Sequence, residues 1–341
     1  MIKVLIIGLG SAGQRHVRNL KRLLGNDVCF IAYRVRRLQR LFDDNLCVIE
    51  GKSVEEVYDI TEYNDLDKAL EEKPDMAFIT NPNSMHIECA LKVARKGIDI
   101  FLEKPVSNNM DGIEELTQII NEKKLILYVG FQMRMHPCIV RLKQDIEKGI
   151  IGRIVSADCH MGELLTEMHK YEDYRFMNES RNATGGGVIL CQIHEIDYLY
   201  WIFGMPAEVY TVGNKYSSLE IDVEDAASSL WRYDDGKDFS IILHQDFLQK
   251  PPIRRCRVIG TEGQIYIDLL RNQYILSCKE DAQEETYDFS RNDMFINELE
   301  VFLSYVKTRK SKTLTLEDGT GSLKIALAMK KSMNEGRPVQ I

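Results

Sequence analysis

The chain has 341 residues, of which 44% are hydrophobic and 28% charged, with a formal net charge of −8. That length exceeds what one core ordinarily holds, so two domains are expected, and the balance of apolar and charged residues excludes extensive disorder. A net negative surface offers no counterion release to nucleic acid and no attraction to an anionic membrane, so neither is expected as a partner.

The opening MIKVLIIG has no signal-peptide pattern, and no run approaches the ~18 apolar residues that cross a bilayer, so the cytoplasm is the expected location. Over roughly the first 125 residues, IKVLIIG, VCFIAY, DMAFIT, DIFLEK and LILYVGF read as strands. SAGQRHVRNLKRLL and SMHIECALKVARKG between them read as amphipathic helices. Near-continuous apolar strands alternating with helices predict a parallel sheet covered on both faces.

The first strand runs into GLGSAG, which gives Gly8-x-Gly10-x-x-Gly13 with Ser11 and Ala12 at the start of a helix. Glycines there allow a tight turn, close approach to a pyrophosphate and close helix–strand packing, and the helix N-terminus supplies unpaired N–H groups. In its strand–turn–helix setting the motif predicts dinucleotide binding rather than a bare turn. An acidic residue about 20 positions further on would hold a ribose 2′-hydroxyl. Here the second strand ends AYRVRR, and Arg34, Arg36 and Arg37 suit a 2′-phosphate. NADP is therefore preferred over NAD, with a solvated arginine-rich face as the alternative.

After about residue 150 the pattern changes. GRIVSADCHMG, AEVYTVGNKY, AASSLWRY, FSIILHQDFL, RCRVIG and QIYIDL are strand-like, joined by turns such as DDGK (234–237) and TEG (261–263). These mark antiparallel hairpins. One helix is expected at about 187–203 and two more at about 290–309 and 316–335. The predicted fold is α/β: a doubly wound parallel Rossmann domain (1–125) followed by an α+β domain (126–341) with an open, mostly antiparallel mixed sheet. No low-complexity linker separates them, so packed domains with a cleft are expected.

ITNPNSMHIECALKVARKGIDIFLEKPVS (79–107), GFQMRMHP (130–137), GGGVILCQIHEIDYLYWIFG (185–204) and the closing LEDGTGSLKIALAMKKSMNEGRPVQI resemble the glucose–fructose oxidoreductase / inositol dehydrogenase (Gfo/Idh/MocA) family of NAD(P)-dependent enzymes. The resemblance spans essentially the whole chain. It implies that Gly8, Gly10 and Gly13 cradle the pyrophosphate. Asn81, Pro82, Asn83 and His86 then line the cofactor near its nicotinamide half, with Glu103 beside them. Lys104 reaches the oxygen of the reacting carbon, and a cis Lys104–Pro105 bond occurs in some relatives. Gln132 and Arg134 come from the sixth strand and border the site, Gln132 on the cofactor and Arg134 on the substrate. Chemistry agrees: oxidation of an alcohol requires a group that takes the hydroxyl proton, and ligands of open α/β sheets collect at the carboxyl ends of the strands. An unremarkable surface lysine is the bland reading of Lys104.

In that family the helix after the glycines carries an aspartate or asparagine and then a histidine. His194 matches the histidine and is expected to assist at the substrate oxygen; a satisfied core histidine is the alternative. Cys191 stands where many relatives have the acid. Either Lys104 and His194 suffice, or the substrate differs in the group that the acid holds. Cys191, His194 and Asp197 fall on one face of a helix at i, i+3 spacing, with Asp197 read as a structural hydrogen-bonding residue. Cys191 and His194 alone complete no tetrahedral site, and the eight cysteines contain no CxxC, so no metal and no disulfide framework is expected. The polar stretch 164–184, with Tyr171, Tyr174, Arg175 and Arg181, is read either as a substrate-facing loop or as a solvated excursion.

The resemblance implies hydride transfer between a nicotinamide and a secondary alcohol or ketone of a sugar, a polyol or a nucleotide-linked sugar. It also implies a homodimer or homotetramer formed through the second sheet. Two rivals remain: reduction of a non-sugar double bond or imine on the same fold, and a non-catalytic cofactor-binding regulator.

Overall fold

In the computed structural model the described residues are 1–35, 40–43, 47–234, 236, 238–278 and 281–341. Arg36 and Arg37, and two residues of the expected DDGK turn, lie outside them. The chain forms two compact units: Met1–Phe131 with Phe295–Thr320, and Gln132–Met294 with Gly321–Ile341.

The first unit begins with β1 (Ile2–Ile7), α1 (Ser11–Leu24) and β2 (Val28–Tyr33), then a small ribbon of β3 (Leu41–Phe42) and β4 (Val48–Ile49). It continues through α2 (Val54–Tyr58), β5 (Ile60–Tyr63), α3 (Leu66–Glu71), β6 (Met76–Ile79), α4 (His86–Arg95), β7 (Asp99–Glu103), α5 (Ile113–Lys123) and β8 (Leu127–Gly130). Six strands pair in the order β5-β2-β1-β6-β7-β8, all parallel. This is a doubly wound Rossmann sheet, with its reversal of strand order at β1 and β6. β6 and β8 are buried at every position, as a sheet covered on both faces requires.

The second unit contains α6 (Pro137–Glu147), β9 (Ile154–Gly162), α7 (Leu165–Met168), α8 (Val188–Cys191), α9 (Ile193–Phe203), β10 (Glu208–Asn214), β11 (Ala226–Arg232) and β12 (Ser240–Asp246). β13 (Ile253–Gly260), β14 (Gly263–Asp268), β15 (Gln273–Cys278) and β16 (Asp281–Thr286) follow, then α10 (Arg291–Thr308), α11 (Leu316–Glu335) and β17 (Val339–Gln340). Its nine strands run β16-β15-β14-β13-β9-β12-β11-β10-β17. Among the described residues only the β9–β12 pair is parallel, so this is the expected open, mostly antiparallel mixed sheet. β11 alternates buried and exposed residues along its length, which leaves one face of the sheet open.

Residues 295–320, expected in the second domain, belong to the first unit. The physical reason is aromatic packing and an ion pair. Phe302 meets Phe78 and Phe101 edge-on at 5.5 Å, Arg309 pairs with Asp99, and the Val129 N–H donates to the Leu314 carbonyl at 2.8 Å. Among the described residues no helix is long and apolar enough to cross a membrane.

Candidate active site

The glycine loop is packed from behind and open in front. Gly8 has φ +94°, and a Cβ built there falls 2.8 Å from the Asn81 nitrogen. A Cβ on Gly13 falls 2.2 Å from the Gly8 carbonyl oxygen, whereas one on Gly10 meets nothing within 4 Å. The Thr80 hydroxyl donates to the Gly8 and Ile7 carbonyls, which ties the loop to the end of β6. Gly10 starts α1 with no side-chain cap and no acid follows in the first turn, so the half-buried Ser11 and Ala12 begin a helix whose positive end is uncompensated. An open backbone and uncapped N–H donors fit a pyrophosphate.

The end of β2 departs from expectation. Arg34, read from the sequence as a 2′-phosphate ligand, is only 5% exposed and its guanidinium pairs with both Glu55 and Glu62. Two carboxylates already meet this cation, leaving the cluster with a formal excess of negative charge where an anionic phosphate was expected.

At the ends of β6 and β7, His86 is buried rather than lining a cavity. Its Nδ1 lies 2.8 Å from the Pro105 carbonyl and its Nε2 2.9 Å from that of Asn81. Burial lowers its affinity for a proton although both carbonyls and Glu103 favour one. His86 thus fixes two backbone turns. Asn81 donates to Cys89 Sγ at 3.4 Å, and its Oδ1 is buried without a hydrogen-bond partner, an acceptor that suits a nicotinamide carboxamide. Pro82 and Asn83 form the turn that leads into α4.

Glu103 ends β7. Its Oε1 lies 2.7 Å from His16 Nε2, and its Oε2 accepts from the Lys104 N–H at 3.3 Å. Burial alone would raise its pKa, but the bond to His16 and the nearby charges of His16, Lys104 and His86 outweigh burial and hold it below the usual range. Glu298 of α10 is fully buried, and neither carboxyl oxygen has a hydrogen-bond partner. Burial, then the charge of Glu103, push its pKa well above the ordinary value against the pull of Arg15. Lys104 itself is half-buried and precedes a cis bond to Pro105.

In the second unit, residues 132–135 form a 3₁₀ turn. Gln132 Nε2 lies 3.1 Å from His194 Nε2, so this glutamine, expected at the cofactor, also meets the histidine. Arg134, expected at the substrate, forms a buried ion pair. It is 2% exposed and forks onto Asp197, with Nε–Oδ2 at 2.8 Å and Nη2–Oδ1 at 2.7 Å. Ser322 donates a third bond to Asp197 at 2.8 Å, which gives Asp197 the structural role expected of it.

The expected helix 187–203 is split. Gln192 leaves helical geometry with ψ +33° because β12 grips it from two sides: its side chain donates to the Asp246 carbonyl at 3.0 Å, and Gln245 donates to its own carbonyl at 2.9 Å. Cys191 therefore ends α8 half-buried, while His194 and Asp197 ride on α9. The glycines ahead make room for an acid. A Cβ on Gly187, at φ +104°, would fall 2.3 Å from Glu224 Oε1, and Lys330 pairs with that carboxylate at 3.1 Å. In the 164–184 stretch, Tyr174 Oη accepts from the Glu220 N–H at 3.3 Å. Arg175 pairs with Asp173 and Glu220, and the Arg181 guanidinium lies over Phe176.

Sequence reasoning missed His16, Glu55, Glu62, Glu224 and Glu298. His16 was legible in principle, three residues past Gly13 on the same helical face. Glu298 sits between the buried Phe295, Leu299 and Phe302, a charged residue inside an apolar stripe.

Two family models together match most of the chain. The NAD-binding Rossmann fold of an oxidoreductase family matches residues 2–131, and the C-terminal alpha/beta domain of the same family matches residues 143–341. The chain belongs to the Gfo/Idh/MocA oxidoreductase family. Among its relatives, scyllo-inositol 2-dehydrogenase (NAD(+)) of Bacillus subtilis is 27% identical over 100% of this chain and 96% of the relative. Myo-inositol 2-dehydrogenase of Thermotoga maritima is 26% identical over 100% of this chain and 98% of the relative. The solved structure of myo-inositol 2-dehydrogenase from Lactobacillus plantarum superposes with a TM-score of 0.78 at 23% identity, over 100% and 99% of the two chains. As a member of this family the protein is an NAD(P)-dependent oxidoreductase.

Proposed function

We propose that this protein is a dehydrogenase for a secondary alcohol of a cyclic polyol or sugar, with Lys104 as the acid–base group and His194 assisting at the substrate oxygen. The observation that carries this reading is the anchoring of Lys104. Its N–H is held by Glu103, and Glu103 is held by His16 of the glycine-loop helix. The amine thus belongs to the rigid edge that also carries the cradle for the dinucleotide. When bound, the nicotinamide supplies the hydride acceptor. Lys104 takes the hydroxyl proton as the carbinol is oxidised and returns it in the reverse direction. His194, set by Gln132, hydrogen-bonds the same oxygen and fixes which hydroxyl reacts. The inositol dehydrogenases among the relatives support a polyol substrate.

The cofactor in this proposal is NAD(H), reversing the preference drawn from the position of Arg34. Glu55 and Glu62 suit a ribose 2′-hydroxyl, which donates to carboxylates, and disfavour a doubly charged phosphate.

The open face of the second sheet is proposed as the self-association surface. Tyr210, Leu230 and Ile242 lie in register across it, and Leu230 and Ile242 are 47% and 54% exposed. A row of large apolar side chains on a soluble sheet suits a second copy of the chain.

The decisive experiment follows reduction of NAD+ and NADP+ by ultraviolet absorbance across a panel of inositols, aldoses and nucleotide sugars. Steady turnover on a polyol or sugar supports the reading. Oxidation of NADH or NADPH only by unsaturated acceptors, or cofactor binding with no hydride transfer from any polyol or sugar, overturns it.

A further inference from the structure

The open face of the second sheet carries a group of side chains that the dehydrogenase chemistry does not use. His160 of β9 and His244 of β12 are register partners in the one parallel strand pair of this sheet, and Asp246 lies two residues along from His244 on the same face. One ligand atom from each falls within 4.8 Å of the others. His244 Nε2 is 3.2 Å and His160 Nε2 3.7 Å from Asp246 Oδ2. Tetrahedral zinc bonds of about 2.0–2.2 Å put neighbouring ligand atoms about 3.3–3.6 Å apart, the spacing that these two distances bracket.

Two further observations point to a ligand there. His160 Nε2 and Gln249 Oε1 are both buried without a hydrogen-bond partner. Gln249 Oε1 and Asp246 Oδ2 also converge on Gly162, where an ideal Cβ would lie 2.4 Å and 2.5 Å from them. Glycine is the residue that leaves this space clear, so that Gln249 Oε1 can bring a fourth ligand atom to the group. Ser228 Oγ lies 2.7 Å from His244 Nδ1. A ring that donates from Nδ1 to Ser228 presents the bare lone pair of Nε2 to the carboxylate. In that tautomer a cation between Nε2 and Asp246 Oδ2 satisfies both, whereas in the other tautomer Nε2–H donates to Asp246. An outer partner on the far ring nitrogen is also how metal-binding histidines are held.

We propose that His160, His244 and Asp246, with Gln249 as the fourth ligand, form a site for a divalent transition ion of the zinc class. The ion cross-links β9 and β12, strands contributed from segments about 80 residues apart in the chain. Its nitrogen and oxygen donors suit Zn2+ or Co2+ over the alkaline-earth ions, which prefer all-oxygen cages.

Cobalt reports the site directly. Tag-free, chelator-stripped full-length protein is titrated with Co2+ and then with Zn2+, following the visible ligand-field bands and the melting temperature. One ion per chain is expected, with bands of a four- or five-coordinate nitrogen–oxygen site, no sulfur-to-cobalt charge-transfer band, displacement by Zn2+ and a raised melting temperature. The double variant His160→Ala/His244→Ala should bind at least about 100-fold more weakly, and Ser228→Ala about tenfold, the range seen for outer partners. Should the double variant fail to fold, Asp246→Asn keeps the shape and should show the same loss. Wild-type affinity no higher than that of these variants, or a spectrum dominated by cysteine ligation, overturns the proposal.

Discussion

His16 Nε2 and Glu103 Oε1 lie 2.7 Å apart, with the imidazole packed against the rings of Phe78 and Phe101 at 5.3 and 4.7 Å. This bond joins the helix that opens at the glycine loop to the strand that ends at Lys104. A displacement of either is therefore transmitted to the other.

Lys104→Ala tests the chemical assignment. General acid–base groups contribute roughly 10²–10⁴ in rate, so kcat should fall by at least about 10² while NADH affinity, measured by fluorescence titration, changes little. Turnover near wild type would end the assignment.

Cofactor choice follows from the Arg34 cluster. Wild-type protein should bind NADH at least about tenfold more tightly than NADPH, a difference of ~1.4 kcal/mol. Glu62→Gln removes one charge and should narrow the gap. A wild-type preference for NADPH would show that the cluster opens to receive phosphate.

Arg134→Ala should destabilise the fold rather than discriminate between substrates. It strands the buried Asp197 carboxylate, and breaking a buried pair costs about 3–5 kcal/mol. Chemical denaturation reads this loss. A stable variant with a changed KM alone would restore Arg134 to the substrate.

His136 makes stability sensitive to acid. Burial, then Arg254, lower its pKa from 6.5 to about 4, and its Nδ1 accepts from the Cys138 N–H at the start of α6. The folded state holds the neutral ring, so its contribution is complete above the unfolded pKa and is lost as pH falls from about 6.5 towards 4. The loss amounts to ~3 kcal/mol at 1.36 kcal/mol per pH unit. His136→Asn keeps a capping group without a titrating one and should flatten denaturation midpoints across that window. An unchanged slope would contradict the assignment.

Glu298 carries the opposite sign. Its folded pKa is raised, so its contribution is whole below the unfolded value near ~4.3 and drains away as pH rises towards the folded one. Glu298→Gln, which mimics the protonated carboxyl, should be more stable than wild type at neutral pH and nearly equal to it in acid. Equal midpoints at both pH values would mean that the carboxyl is not held protonated.

Five of the six strands of the first sheet were legible because buried strands write themselves as apolar runs, whereas β5, with only Ile60 buried, was missed. The helix 11–24 was read to the residue for the same reason: glycine opens it and its apolar positions are periodic. β16 was missed since DAQEET is exposed throughout and is held only by its ladder with β15. The break at Gln192 was equally hidden, because the bonds that pin it come from β12, more than fifty residues away in sequence. The partners of Arg34 and Arg134 were hidden for one shared reason. A sequence shows a cation but not the carboxylates that fold onto it, and Glu62 and Asp197 lie 28 and 63 residues downstream.

The membership of Phe295–Thr320 in the first unit has a consequence for biosynthesis. By residue 131 a ribosome has delivered every strand of the Rossmann sheet, yet Phe302, which covers Phe78, Phe101 and Tyr128, is still more than 150 residues from synthesis. The nascent nucleotide-binding half must wait with a greasy aromatic flank uncovered through most of translation. That interval is when a holdase chaperone has something to grip.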